Sequence, residues 1–161
     1  MRNAGAAVAR HDVLIFLDAN TLVSPKLLSR IAQTTDPRCI GGAVDCRHDA
    51  ARVVLRVYLA LWRALGLIGG MAQGACQFCR KDVFRELGGY DETWYMGEDV
   101  EFYGRLKQLA RQRGLRTAAI RDLQVIPSPR RWNRWPLWRT LIWTSPVITF
   151  ALKRRKGAWS G

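Results

Sequence analysis

The sequence predicts an α/β fold, and three observations carry that reading. Asp12–Asp18 is a short, continuous apolar run that ends in an acid, the pattern of a strand buried on both faces as in a parallel sheet. Strand-like and helix-like segments then alternate along the chain. Finally, 161 residues with 48% hydrophobic and 24% charged content can bury the core of one domain.

The elements follow in order. After the first strand, Ser24-Pro25 opens a helix through about Gln33, with Ser24 as N-cap and Pro25 at the first helical position. Cys39–Cys46 reads as a second strand, entered through Gly41-Gly42. Asp49 to about Leu67 is helical: Val53, Val57, Leu61 and Leu65 recur at four-residue steps. Arg52, Arg56 and Arg63 fall within about 40° of one another on that helix and form a basic stripe. The stripe is either a solvated face or a contact with a partner or membrane. Gly69-Gly70 and Gly74 mark a loop. Ala75–Arg80 reads as a short strand and Lys81–Leu87 as a short helix closed by Gly88-Gly89. A helix runs from Glu98 to about Arg113 and stops at Gly114. Strand residues return around Thr117–Ile120 and Gln124–Ile126. Pro127, Pro129 and Pro136 make Ile126–Pro136 extended or turned. Leu137–Leu152 reads as a helix bent near Pro146, followed by a basic tail.

Charge is high and uneven. The net charge is +13; residues 1–100 hold 12 Lys/Arg against 11 Asp/Glu, and residues 101–161 hold 14 against 2. The C-terminal part is therefore expected to face something anionic. The four cysteines include one C-x-x-C, Cys76 and Cys79, and neither histidine stands at zinc-ligand spacing, so reduced structural thiols are expected. No signal peptide and no clean membrane-spanning run are expected. A nucleic-acid partner is not expected, since no RNA-binding sheet motif is present.

Three segments could carry chemistry. In the first, Arg2 and Asn3 precede Asp18 and Asn20. An acid at the C-terminal end of a buried parallel strand lies where open α/β sheets bind ligands. It can coordinate a hard cation, hydrogen-bond a ribose, or simply cap the turn. In the second, Tyr90-Asp91-Glu92 follows two glycines, and Glu98-Asp99 follows Gly97. A carboxylate there can take the proton of an attacking hydroxyl, or serve as a helix-start charge. The third is Arg130-Arg131-Trp132 with Arg134, Trp135, Trp138 and Arg139, where arginine forks suit phosphate and tryptophan faces suit rings.

In this order the segments resemble family-2 glycosyltransferases with the Rossmann-like, A-type nucleotide-diphospho-sugar transferase fold. "RNAGAAVARHDVLIFLDANTLVSP" is similar to the family's Arg-Asn-x-Gly helix, strand and Asp-x-Asp element. "GACQFCRKDVFRELGGYDETWYMGEDVEFYGRL" is similar to its acceptor segment. The resemblance implies a mainly parallel sheet with helices on both faces. It implies inverting transfer of a sugar from a nucleotide-diphospho-sugar donor to an acceptor hydroxyl, saccharide or lipid-linked. Asp99 would be the general base beside Glu98. Arg2, Asn3, Asp18, Asn20, Arg130, Arg131 and Trp132 would face the donor. Gly74, Ala75, Tyr90 and Asp91 would face the acceptor.

Two departures qualify it. Asn20 stands where the family has a metal-binding acid, so a Mg²⁺ or Mn²⁺ ion on Asp18 and Asn20 would be held more weakly. The family's domain also begins before the Arg-Asn-x-Gly helix. Its opening N-terminal strands are therefore expected to be missing here, exposing a sheet edge through which copies of the chain could pair. Residues 1–128 would form a partial, acceptor-side catalytic domain, and 129–161 a basic, Trp-rich extension. The extension would lie at an anionic membrane surface, giving a cytoplasmic, membrane-peripheral protein. A non-catalytic remnant that serves as a binding or membrane-peripheral module is the competing expectation.

Overall fold

The computed structural model describes residues 1–68, 75–94, 97–136 and 138–140, with backbone only at 67, 68, 131 and 132. The Gly69-Gly70 and Gly74 loop and nearly all of the Leu137–Leu152 helix lie outside the described residues. Among the described residues, six helices and five strands follow one another: α1 (Arg2–Val8), β1 (Val13–Leu17), β2 (Thr21–Leu22), α2 (Leu27–Thr34), β3 (Cys39–Cys46), α3 (Val53–Ile68), β4 (Cys76–Arg80), α4 (Lys81–Glu86), α5 (Glu98–Gln112), β5 (Arg116–Pro127) and α6 (Arg130–Arg134).

The strands form one sheet in the order β1-β4-β3-β5-β2. It is mixed and mostly antiparallel, which corrects the expected mainly parallel, Rossmann-like arrangement. β4 lies between β1 and β3 and runs against both, and β2 runs against β5; among the described strands only the β3–β5 ladder is parallel. An apolar run such as Asp12–Asp18 shows that a strand is covered on both faces, but not which way its neighbours run. β1 is the outer strand on its side, and a groove of about 440 Å³ lies along it, lined by Arg2, Ala6, Ala9 and Val13–Leu17.

Helices cover both faces. On one, Ala6 of α1, Val83 and Phe84 of α4, and Phe102, Tyr103 and Leu106 of α5 pack on Leu14, Phe16, Ile40 and Cys79. On the other, Leu27 and Ile31 of α2 pack on Cys39, Val44, Cys76, Phe78, Ile120 and Val125. β3 can sit in the middle because of Gly42: a Cβ there would meet the Phe78 ring at 2.6 Å and the Ala118 carbonyl closer still. All four cysteines are unbridged and buried. Burial pushes the Cys46 and Cys79 thiols up to about 12 and that of Cys76 to about 11, so they act as apolar core groups.

Several boundaries shift for local reasons. The Ser24 hydroxyl accepts from Lys26 N–H at 3.3 Å and its carbonyl from Leu27 N–H at 3.0 Å, so a turn forms first and α2 starts at Leu27. The two expected strands after Gly114 are one strand, β5, whose pairing with β3 jumps from Ile120 to Gln124. The stretch after β5, expected to be extended or turned, contains α6; Asn133 N–H donates to Pro129 O at 2.9 Å, and proline suits a helix start.

α3 differs most from a packed amphipathic helix. Its buried residues are Leu55 and Leu59, which form a small cluster with Ala50. The repeat of Val53, Val57, Leu61 and Leu65 faces outward instead.

Candidate functional site

The ladder directions place the C-terminal ends of β1, β3 and β5 and the N-terminal end of β4 on one rim of the sheet. Asp18 N–H donates to Ala75 O at 3.1 Å, extending the β1–β4 ladder by one rung and fixing Asp18 on that rim. Asn20 follows in the same turn; its carbonyl accepts from Ser128 N–H at 2.9 Å, so the chain leaves β5 toward α6 beside it. Arg130 is exposed at the start of α6.

Arg2 draws the rim together. Its Nη2 donates to Asp18 Oδ1 at 2.8 Å and its Nη1 to Glu98 Oε1 at 2.9 Å. Its guanidinium also lies 5.3 Å from the centre of the Tyr90 ring. Glu98 and Asp99 open α5 after Gly97, which takes the left-handed conformation at φ 77°. Acids in a first helical turn are favoured by the macrodipole. Glu98 faces Arg2. Burial pushes the Asp99 carboxyl up, the Val100 N–H opposes this, Glu98 adds to it, and Arg2 opposes it. The result is a half-buried carboxylate that holds a proton more readily than an exposed one.

Gln77, which the sequence reading did not single out, supports this corner from below. It is buried in β4; its Nε2 donates to Asp99 O at 3.0 Å and its Oε1 accepts from Tyr90 OH at 3.1 Å. A lone amide inside the apolar run Cys76–Cys79 was the available signal, since a buried amide must find partners.

Asn3 acts as a clamp. Its Nδ2 donates to Tyr90 O at 2.8 Å and its Oδ1 accepts from Tyr90 N–H at 2.9 Å, like a rung of a ladder. Nδ2 also reaches Glu92 Oε1 at 3.0 Å. Gly89 makes room for the clamp: its φ is +72°, and a Cβ there would lie 2.8 Å from Asn3 Oδ1. Arg105 fixes the same turn by donating to Gly89 O at 2.8 Å and to Leu87 O. Asp91 accepts from Thr93 Oγ1 at 2.7 Å and Thr93 N–H at 2.9 Å, which holds its carboxyl below the usual range. The Tyr90 ring is buried with Phe16, Phe84 and Phe102.

A second ion pair flanks the rim. Asp45, near the end of β3, has a side chain only 6% exposed. Arg63 of α3 donates to it through Nε at 2.9 Å and also through Nη2, and Gln124 of β5 donates at 2.9 Å. Burial would raise this carboxyl, but the bonds from Arg63 and Gln124 hold it below its ordinary range. Arg2, Asp18, Glu98, Asp99 and the Ala75 backbone thus share one corner. Asn3, Tyr90 and Asp91 form the turn beside it. Gly74 lies outside the described residues, as do the side chains of Arg131 and Trp132.

The fit to a divalent cation is poor. Asp18 is already ion-paired to Arg2, Asn20 offers a neutral oxygen, and among the described residues no group of three His, Cys, Asp or Glu is placed to hold a metal ion.

Similarity to known proteins links the chain to the glycosyltransferases only in general terms. It is 30% identical over 125 residues to the pre-mycofactocin glycosyltransferases of two strains of Mycobacterium tuberculosis. The match covers 65% of this chain and 25% of each of those proteins, so the chain spans about a quarter of the relatives it matches. No protein-family profile matches.

Proposed function

We propose that this chain carries the acceptor side of a sugar-transfer site, with Asp99 as general base and Asp18 facing a nucleotide-diphospho-sugar. The observation that supports the reading is the Arg2 bridge from Asp18 to Glu98, which sets an acid from a strand end beside the acids of a helix start. In the proposed reaction, the acceptor hydroxyl gives its proton to Asp99 as its oxygen bonds to the anomeric carbon. The bond from that carbon to the diphosphate breaks, and the nucleoside diphosphate leaves with the electron pair from the opposite face. Inversion at the anomeric carbon follows. A raised carboxyl suits this task, because a base works best with a pKa nearer the working pH. Arg130 and Arg131 would lie against the diphosphate and offset its growing charge. No step is assigned to a metal. The acceptor is a saccharide or lipid-linked hydroxyl.

The test is turnover with a panel of nucleotide sugars. Asp99→Asn is expected to lower turnover by about 10²–10⁴-fold while donor binding persists. Unchanged turnover would remove Asp99 from the chemistry. A second reading, a binding module without catalysis, is favoured by the Arg2–Asp18 pair, which already satisfies the carboxylate that would meet the ligand. Donor binding by the wild-type chain with no turnover would establish that reading instead.

A further inference from the structure

The outward face of α3 has no polar residue at its centre. Leu55 and Leu59 are buried, so the opposite side of the helix carries Val53, Val57, Ala60, Leu61, Ala64 and Leu65 at helical spacing. Val53, Val57, Leu61 and Leu65, with Val54 on the flank, are each 55–62% exposed. An isolated exposed leucine means little, but a contiguous apolar stripe along four turns marks a surface that something covers.

Charge identifies what covers it. From Arg52 to Ile68 the chain has three arginines and no acid. Arg63 is turned to Asp45 and fixes the helix to the rim, while Arg52 and Arg56 border the stripe on one side. The N-terminal end of α3 also touches the second basic segment: Asn133 Oδ1 accepts from Ala51 N–H at 3.1 Å, and Arg52 Nη1 reaches Trp135 O at 3.5 Å. That segment exposes Arg130, Arg134, Arg139 and Trp138, with the Arg139 guanidinium 4.6 Å from the Trp135 ring centre. Apolar side chains bordered by arginines and tryptophan match a bilayer surface, where acyl chains lie beneath anionic head groups. A second copy of the chain would bring like-charged arginine borders together, which opposes self-association on this face.

We propose that the outer face of α3 seats on an anionic lipid bilayer, with Arg52, Arg56 and the α6 segment contacting head groups. The helix lies along the surface. Its 16 residues span about 24 Å, short of a hydrocarbon core of about 30 Å, and no helix among the described residues is long and apolar enough to cross a membrane. Because Arg63 joins α3 to Asp45, the rim would be held close to the bilayer. The proposal does not depend on sugar transfer.

The experiment is flotation of the full chain with phosphatidylcholine vesicles, with and without phosphatidylglycerol. Binding is expected only with the anionic lipid and is expected to weaken as salt rises. Val57→Asp combined with Leu61→Asp is expected to lower the partition at least about tenfold. Both positions are exposed, so the thermal melt should not move, which separates lost docking from lost folding. A Val57→Cys variant carrying an environment-sensitive dye should report an apolar surrounding on anionic vesicles, since the native thiols are buried. Three results would overturn the proposal: equal binding to neutral vesicles, anionic binding that the double variant leaves intact, or a concentration-dependent dimer that the double variant abolishes.

Discussion

Asp18 and Glu98, far apart in the chain, are held 2.8 and 2.9 Å from the two terminal nitrogens of one guanidinium, that of Arg2. The bridge ties α1 to the end of β1 and the start of α5. Burial is the main cause of the raised Asp99 carboxyl, and the bridge adjusts it further: Glu98 pushes it up and Arg2 draws it down. All three side chains of the bridge are about one-third exposed, so each pair contributes on the order of 1 kcal/mol or less to stability. Its importance under the proposed function lies in charge placement.

A pH profile tests that placement. If Asp99 must be ionised to accept a proton, turnover falls as pH drops through its raised pKa. Replacing Glu98 by Gln removes a charge that raises this carboxyl, so the acid limb should move to lower pH. Replacing Arg2 by Gln removes a charge that lowers it, so the limb should move to higher pH. Opposite displacements in kcat/KM profiles are the expected result. Displacements of the same sign would place the titrating group elsewhere.

The Asp45–Arg63 pair makes a prediction about stability. Asp45 is held below its ordinary range in the folded protein, so its contribution is present above the unfolded carboxylate pKa and is lost as pH falls through the folded one. Arg63→Ala leaves a buried carboxylate with the Gln124 amide and the Cys46 N–H as its partners. Because Arg63 is 40% exposed, a cost of about 2 kcal/mol is expected at neutral pH rather than the larger figure for a fully buried pair. Urea melts at neutral and acid pH should show the variant's deficit shrinking on acidification. A constant deficit would mean that Arg63 acts by packing alone.

Asn3 predicts a structural rather than a binding phenotype. Asn3→Ala removes both rungs to the Tyr90 backbone and should destabilise by about 1–3 kcal/mol. Gly89→Ala should be comparable, because it combines a left-handed backbone with a Cβ against Asn3. Together they should cost less than the sum of the single effects, since both break the same joint. Full additivity in chemical denaturation would show two separate roles.

The sequence showed parts of this picture and hid others for physical reasons. Cys39–Cys46 was legible to the residue because a mostly apolar eight-residue segment bounded by turn signals has few alternatives. Asp18 was legible as a strand-end acid. The orientation of β4 was not, because direction depends on the loop before it and not on the apolar pattern of Cys76–Arg80. β2 is two residues long and carries no periodic signal. The four-step repeat on α3 marked a helix, but repetition alone does not say whether an apolar face meets the core or something outside it. Gln77 and the Arg63–Asp45 pair were hidden because their partners lie on other elements.

The poor cation fit at Asp18 and Asn20 predicts that sugar transfer by this chain survives removal of divalent metal. Turnover in EDTA should stay within about twofold of that in Mg²⁺ or Mn²⁺, since one paired carboxylate and one amide make a weak site. A loss of activity that added metal restores would show that the donor's diphosphate completes a cation site at these residues.

The central claim, that the Arg2-bridged corner is where a nucleotide sugar meets its acceptor, is tested most directly by calorimetric titration of nucleotide-diphospho-sugars into three proteins: wild type, Asp18→Ala and Asp99→Asn. A donor is expected to bind the wild type, Asp18→Ala to weaken it at least about tenfold, and Asp99→Asn to leave it nearly unchanged. Failure of every donor to bind the wild type, or equal binding to Asp18→Ala, would contradict it.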